Sequence, residues 1–152
     1  MRLEIPPFDE NGNLPPGVHW ADWSDFKERF GTTPRRIGLI PGLEAVMEQL
    51  KAAGCRTIYI NGSFVTNKPD PKDFDACWDR DDVDIDYLRK NAPIVLNFYN
   101  PSAQKAKYGG EIYPSDQPAY GATMTMDLFQ RDRYKKNPKG IVAIDLLRWD
   151  YD

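Results

Sequence analysis

Apolar positions at helical spacing dominate the chain between residues 35 and 53. Four of them recur at intervals of three and four residues, which predicts a helix with one buried face and polar residues opposite. They are Leu43, Val46, Met47 and Leu50. Pro41 falls within this segment, either as a kink or in the first turn of the helix's second half. Gly54 is expected to end the helix.

Short apolar runs between turn residues predict the strands. The first is Thr57–Ile60, directly after the helix, and the second is Asp73–Trp78, where apolar and polar residues alternate. The other predicted elements are strands at 109–114 and 141–147, helices at 84–90 and 101–108, and a short amphipathic element at 121–133. A helix, a tight turn and a buried strand in this order favour an α/β (α+β) fold, in which helices flank a small mixed sheet.

The first 34 residues lack a regular period. Proline and glycine clusters alternate with single large apolar residues, which predicts an irregular arm (1–34) packed on one domain formed by residues 35–152. Within the arm, a short helix is expected from Trp23 to Phe30, with Ser24 as its cap. His19 is the only histidine, and two roles stay open for it: a hydrogen-bonded packing residue or a ligand contact.

Composition and charge narrow the class of protein. The 152 residues are 41% apolar and 28% charged, as in ordinary globular domains, and the net charge of −3 gives no basic field for nucleic acid. The N-terminus predicts no signal peptide, and no run reaches the roughly 20 apolar residues of a membrane span. We therefore expect a cytoplasmic protein with no membrane partner and with free thiols at Cys55 and Cys77. One histidine and two distant cysteines argue against structural zinc.

The stretch around residues 61–75 carries the most specific chemistry. A Gly62–Ser63 turn ends the first predicted strand, and Asp73 and Asp75 follow, separated by one apolar residue. On an extended strand the two aspartates share a face. Two adjacent carboxylates in a shielded site are hard to keep ionised, and a divalent cation removes that difficulty. The turn is suited to presenting backbone N–H groups and a hydroxyl to a phosphate.

This motif has a known counterpart. Gly62-Ser63, nine intervening residues and then Asp73-Phe74-Asp75 resemble the signature of the nucleotidyltransferase superfamily, which includes DNA polymerase beta and the minimal nucleotidyltransferases of bacteria. Further stretches resemble an uncharacterised bacterial family of small nucleotidyltransferase-like proteins. They are residues 62–78, 105–114 and 129–146.

The resemblance implies a nucleoside triphosphate as substrate, two Mg²⁺ ions (or Mn²⁺), and transfer of the nucleotidyl group with release of pyrophosphate. Asp73 and Asp75 would be metal ligands, and Gly62 and Ser63 would hold the triphosphate. Glu111, on the third predicted strand, is the candidate third carboxylate, either as a metal ligand or as the base for an acceptor hydroxyl. Its rivals are Asp116 and Asp145.

Basic residues supply further candidate phosphate contacts. They are Lys68, Arg131, Arg133 and Lys139. A protein or an RNA is the acceptor that the resemblance favours. Two other functions stay open. One is a non-catalytic nucleotide-sensing or protein-binding module of a toxin–antitoxin or phage-defence pair. The other is a plain α/β protein whose Asp73 and Asp75 lie on the surface.

Overall fold

The predicted mixture of helices and strands is confirmed by the computed structural model of the chain, which describes residues 4–116 and 139–150. The helices in these residues are α1 (Trp23–Phe30), α2 (Pro34–Ala52), α3 (Ile85–Asn91), α4 (Pro93–Leu96) and α5 (Pro101–Tyr108). The strands are β1 (Val18–Trp20), β2 (Thr57–Asn61), β3 (Phe74–Trp78), β4 (Gly110–Pro114) and β5 (Ile141–Asp145). A short 3₁₀ helix, Gly62–Val65, follows β2. The predicted element at 121–133 lies outside the described residues.

The strands form one mixed sheet in the order β1-β5-β2-β3-β4. β2 is antiparallel to both β5 and β3, whereas β3 and β4 are parallel, as are β1 and β5. In this register Asn61 lies opposite Asp75, and Asp75 lies opposite Glu111. Directly opposed residues project to the same face of a sheet, so these three side chains share one face.

The opposite face of the sheet belongs to the hydrophobic core. β3 places Phe74, Ala76 and Trp78 there, and all three are fully buried. The predicted apolar face of α2 is part of the same core cluster, because Leu43, Val46, Met47 and Leu50 are each completely buried. Alternation along β3 therefore directs its aromatic residues into the core and its aspartates away from it.

Helix α2 has the length that its periodicity predicts. Thr33 caps its first turn, since the Thr33 side chain accepts a hydrogen bond from the Arg36 N–H at 3.2 Å. Pro41 lies inside the helix without ending it. The helix ends at Ala52, and Gly54 follows with a φ of +92°, a conformation that glycine adopts readily.

The N-terminal segment is more ordered than its sequence pattern predicts. Residues 18–20 form the edge strand β1, which pairs with β5. The helix expected at 23–30 is confirmed, but Ser24 is not its cap: the N-cap residue is Asp22, whose side chain makes no capping hydrogen bond. His19 is a packing residue in this structure, with its Nε2 atom 2.7 Å from the Pro15 carbonyl oxygen.

Cys55 and Cys77 are both buried free thiols, as expected. No helix within residues 4–116 and 139–150 combines the length and the apolar character needed to cross a bilayer.

Candidate functional site

Asp75 is the centre of a cluster of acidic side chains on the polar face of the sheet. Its neighbour on β4 is Glu111, and Asp73 lies two residues before it on the same side of the chain. The Lys105 ammonium group lies between the two outer members, 3.3 Å from Asp73 Oδ2 and 3.2 Å from Glu111 Oε1. We call Asp73, Asp75 and Glu111 the carboxylate cluster. Lys105 comes from α5, which packs on β4, so one helix supplies the counter-charge to residues from two neighbouring strands.

Gly62 brings the predicted phosphate-binding turn against this cluster. Its φ is +72°, and a Cβ atom added to it would lie 2.2 Å from Asp75 Oδ2. Only glycine combines this backbone conformation with so close an approach. The turn and the central carboxylate are therefore in direct contact.

Burial controls the protonation of Asp75. Burial, together with the nearby charges of Asp73 and Glu111, raises the pKa of this carboxyl to about 7, against the opposing effect of Lys105 and Lys139. The pKa of Lys105 is raised in turn, chiefly by its hydrogen bond to Glu111. A carboxyl held this far above its ordinary pKa is typical of a site that binds a cation or moves a proton.

Arg36 fixes the loop that follows the turn. Only 3% of this residue is exposed, and its guanidinium donates hydrogen bonds to five backbone carbonyls. These carbonyls belong to Phe30, Ser63, Phe64, Thr66 and Lys68. Its carbon Cζ also lies 5.2 Å from the centre of the Phe64 ring. One side chain of α2 therefore holds a segment that would otherwise be an irregular, proline-rich loop.

Replacement of Arg36 by methionine is expected to lower the free energy of unfolding by about 2–3 kcal/mol, because buried carbonyls lose their donor. Urea unfolding would measure the change. Arg35→Met is the matched control, since Arg35 also donates to this loop, at the Pro71 and Lys72 carbonyls, but is exposed. Equal losses in the two variants would contradict the role given to Arg36.

The register decides among the candidates for the third carboxylate. Glu111 lies directly opposite Asp75. Asp145 pairs with Thr57 at the other end of β2, four residues from Asn61, which is roughly 13 Å along a strand. Asp116 lies beyond the end of β4, where Arg80 binds its carboxylate at 2.9 and 3.0 Å. Of the three, Glu111 alone belongs to the cluster.

The predicted phosphate contacts also differ in their distance from the carboxylate cluster. Lys139 lies near enough for its charge to lower the pKa of Asp75. Lys68 is exposed, its carbonyl is bound by Arg36, and no contact joins its side chain to the cluster in the described residues. Arg131 and Arg133 lie outside the described residues.

Two residues of the site were not predicted from the sequence. Asn61 is 1% exposed, and its side-chain amide has no hydrogen-bond partner among residues 4–116 and 139–150. The sequence signal that could have identified Asn61 is its position, because it is a polar residue at the end of a buried strand and directly before the turn. Lys105 had no such signal, because its role arises only when α5 packs beside β4.

The donor set suits a hard divalent cation. Asp73, Asp75 and Glu111 offer only oxygen ligands, which Mg²⁺ prefers, and the unpartnered Asn61 amide lies beside them in the register. However, no three acidic, cysteine or histidine side chains in the described part of the chain already surround a common point. The ammonium of Lys105 instead bridges the outer carboxylates. The residues thus fit Mg²⁺ by their chemistry.

Comparison with known proteins gives one match. A model described as a family of unknown function (DUF6932) matches residues 6–145. The chain belongs to this family. Membership covers the carboxylate cluster, the Gly62–Ser63 turn and Arg36, so all three lie within the segment that defines a DUF6932 protein. No curated protein and no solved structure matches the chain.

Proposed function

We propose that this protein is a metal-dependent nucleotidyltransferase that transfers a nucleotidyl group from a nucleoside triphosphate to an acceptor hydroxyl, with release of pyrophosphate. The observation that carries the proposal is the position of Asp75, which is half-buried beside Asp73 and Glu111 and in contact with the Gly62 turn. A plain structural role would place Asp73 and Asp75 in solvent or away from Gly62. The contact with Gly62 argues against that alternative.

The residues of the site have distinct roles under this proposal. Asp73, Asp75 and Glu111 would hold Mg²⁺, which when bound supplies positive charge to the attacking and leaving oxygens of a phosphoryl centre. Gly62 would let the backbone approach the triphosphate closely, and Ser63, the next residue, would supply a hydroxyl to it. Lys139, whose charge acts on Asp75, would suit a phosphate oxygen.

Glu111 is the group best placed to receive a proton from the acceptor. Its Oε2 accepts a hydrogen bond from the Tyr113 hydroxyl at 3.2 Å, while Oε1 lies against Lys105. These two contacts fix the direction of the carboxylate without burying it, since about 26% of its side chain is exposed. A base for an incoming hydroxyl must be both oriented and accessible.

Binding of a triphosphate is the direct test. In calorimetry with millimolar Mg²⁺, the intact protein is expected to bind one of the common ribonucleoside triphosphates, and the Asp73→Asn/Asp75→Asn variant is expected to bind it at least a hundredfold more weakly. The expectation rests on the loss of two carboxylate ligands, each worth over about 1.4 kcal/mol. Asp116→Asn and Asp145→Asn are the controls and should bind as the wild type does. Absence of binding by the wild type would contradict the proposal.

A second experiment tests which acceptor the protein uses. We infer a cytoplasmic protein or RNA acceptor, and a non-catalytic module of a toxin–antitoxin or phage-defence pair is the competing function. Incubation with labelled triphosphate and a candidate partner separates the two. Label transfer that is lost in the double variant supports the enzyme. A stable complex that the double variant still forms, without label transfer, supports the module.

A further inference from the structure

A continuous set of aromatic rings leads outward from the carboxylate cluster. Tyr113 donates its hydroxyl hydrogen bond to Glu111, and its ring centre lies 5.8 Å from that of Phe98. The Phe98 ring centre lies in turn 4.4 Å from that of Tyr99. We call Tyr113, Phe98 and Tyr99 the aromatic path. It joins the edge strand β4 to the segment that precedes α5.

The outer end of this path is unusually open to solvent. Tyr99 is 82% exposed, the largest value among the exposed large hydrophobic residues of the described chain. Phe98 beneath it is half-buried. An aromatic ring this exposed contributes little to the core, and it offers a flat face for stacking.

The order of the strands places the path on one side of the site. β2, which leads into Gly62 and Ser63, and β4, which carries Glu111, flank β3 on opposite sides. Under the proposed function the triphosphate lies toward Gly62 and Ser63, on the β2 side of Asp75. The acceptor hydroxyl must then approach from the β4 side, where the aromatic path begins.

We propose that the aromatic path stacks a nucleobase of a single-stranded RNA acceptor whose terminal hydroxyl reaches Glu111. This inference rests on the proposed function and names its acceptor class. Bases stack on exposed aromatic rings irrespective of sequence. Helix α5 begins two residues after Tyr99 and exposes Lys107, which suits a phosphate of the same strand.

Fluorescence anisotropy with a short, labelled poly(A) oligonucleotide tests the proposal on the full chain. Tyr99→Ala is expected to weaken binding about tenfold, since stacking on one aromatic ring contributes about 1–3 kcal/mol per base. Tyr99→Trp should retain or improve it. The control is Trp20→Ala, because Trp20 is also exposed (42%) but lies on β1, at the opposite edge of the sheet. Thermal unfolding of the variants at equal midpoints would show that the folds are intact.

Each result has a defined meaning. Equal binding by Tyr99→Ala and the wild type, or an equal loss in Trp20→Ala, overturns the inference. So does a wild type that binds triphosphate but no oligonucleotide, which leaves the proposed function standing and favours a protein acceptor. If Tyr99→Ala weakens binding of the triphosphate instead, the stacked base belongs to the triphosphate, and the assignment to the acceptor is wrong. Failure of triphosphate binding itself overturns the proposed function.

Discussion

Asp75→Asn is expected to make the metal-free protein more stable at pH 8 and at the same time to abolish magnesium-dependent triphosphate binding. The stability effect follows from the direction of the pKa shift. The folded-state pKa of Asp75 is about 7, against an ordinary value of 3.8. Between these values the folded protein binds more protons at this site than the unfolded chain does, so the free energy of unfolding falls as the pH rises.

The size of the effect follows from the same two values. Each pKa unit corresponds to about 1.4 kcal/mol, so ionising Asp75 in the folded protein costs about 4 kcal/mol as an upper bound. The cost is absent below pH 4 and complete above pH 7. Asparagine has nearly the same shape and no charge, so the variant avoids it.

Urea unfolding at pH 5 and pH 8, in the presence of a chelator, gives the free energies of unfolding that test this prediction. The gain in Asp75→Asn should be more than twice as large at pH 8 as at pH 5. Asp73→Asn is the matched control: Asp73 is about 30% exposed and paired with Lys105, so its loss should change stability by no more than about 1 kcal/mol. A variant of Asp75 that is less stable than the wild type at pH 8 would show that the carboxylate is not held at a cost.

Added Mg²⁺ gives the same experiment a second readout. A ligand that binds only the folded state raises the free energy of unfolding by mass action. Millimolar Mg²⁺ should therefore stabilise the wild type at pH 8 and leave Asp75→Asn unchanged. Together the two readouts describe a carboxylate that destabilises the metal-free fold and contributes to ligand binding, a trade-off found at functional sites.

The parts of the fold that repeat a local period were predictable from the sequence. Helix α2 carries its buried face at helical spacing, and β3 alternates strictly, so its aspartates were expected on one face and Phe74 in the core. β1 was missed because three residues among prolines and glycines carry no period, and its pairing with β5 joins residues more than a hundred positions apart. Its formation depends on tertiary contacts rather than on local preference.

The site was predictable only where it is local. Gly62, Ser63, Asp73 and Asp75 all lie in one short stretch, residues 62–75, and their spacing within it indicated a common site. Glu111 was the preferred third carboxylate from the sequence, but only the strand register shows that it lies opposite Asp75 and that Asp145 does not. Arg36 and Lys105 act through helices that pack on distant segments, and a sequence pattern does not encode which helix face meets which loop.

Gly62→Ala is expected to lower both the free energy of unfolding and the affinity for the triphosphate. The left-handed backbone at φ +72° costs a residue with a side chain about 1–2 kcal/mol. The new Cβ would also lie 2.2 Å from Asp75 Oδ2 and 3.3 Å from Asp75 Cβ, so either the turn or the buried carboxylate must move. We expect a loss of about 3–5 kcal/mol in the free energy of unfolding and no measurable triphosphate binding.

Gly38→Ala is the control for this substitution. Gly38 lies in α2, and a Cβ atom added there has no atom within 4 Å. Alanine in an exposed helix is favoured over glycine by about 1 kcal/mol, so this variant should be slightly more stable and bind normally. The pair therefore adds the same methyl group at two glycines, one against the carboxylate cluster and one in open space.

A double-mutant cycle separates the two costs at Gly62. Asp75→Ala removes the carboxylate that the new methyl group would meet but leaves the backbone conformation as it is. If the contact with Asp75 is the main cost, Gly62→Ala should destabilise the Asp75→Ala protein by only the backbone share, about 1–2 kcal/mol. An equal cost in both backgrounds would assign the whole effect to the backbone. The close approach of the Gly62 turn to the Asp75 carboxylate would then not account for the effect of the substitution.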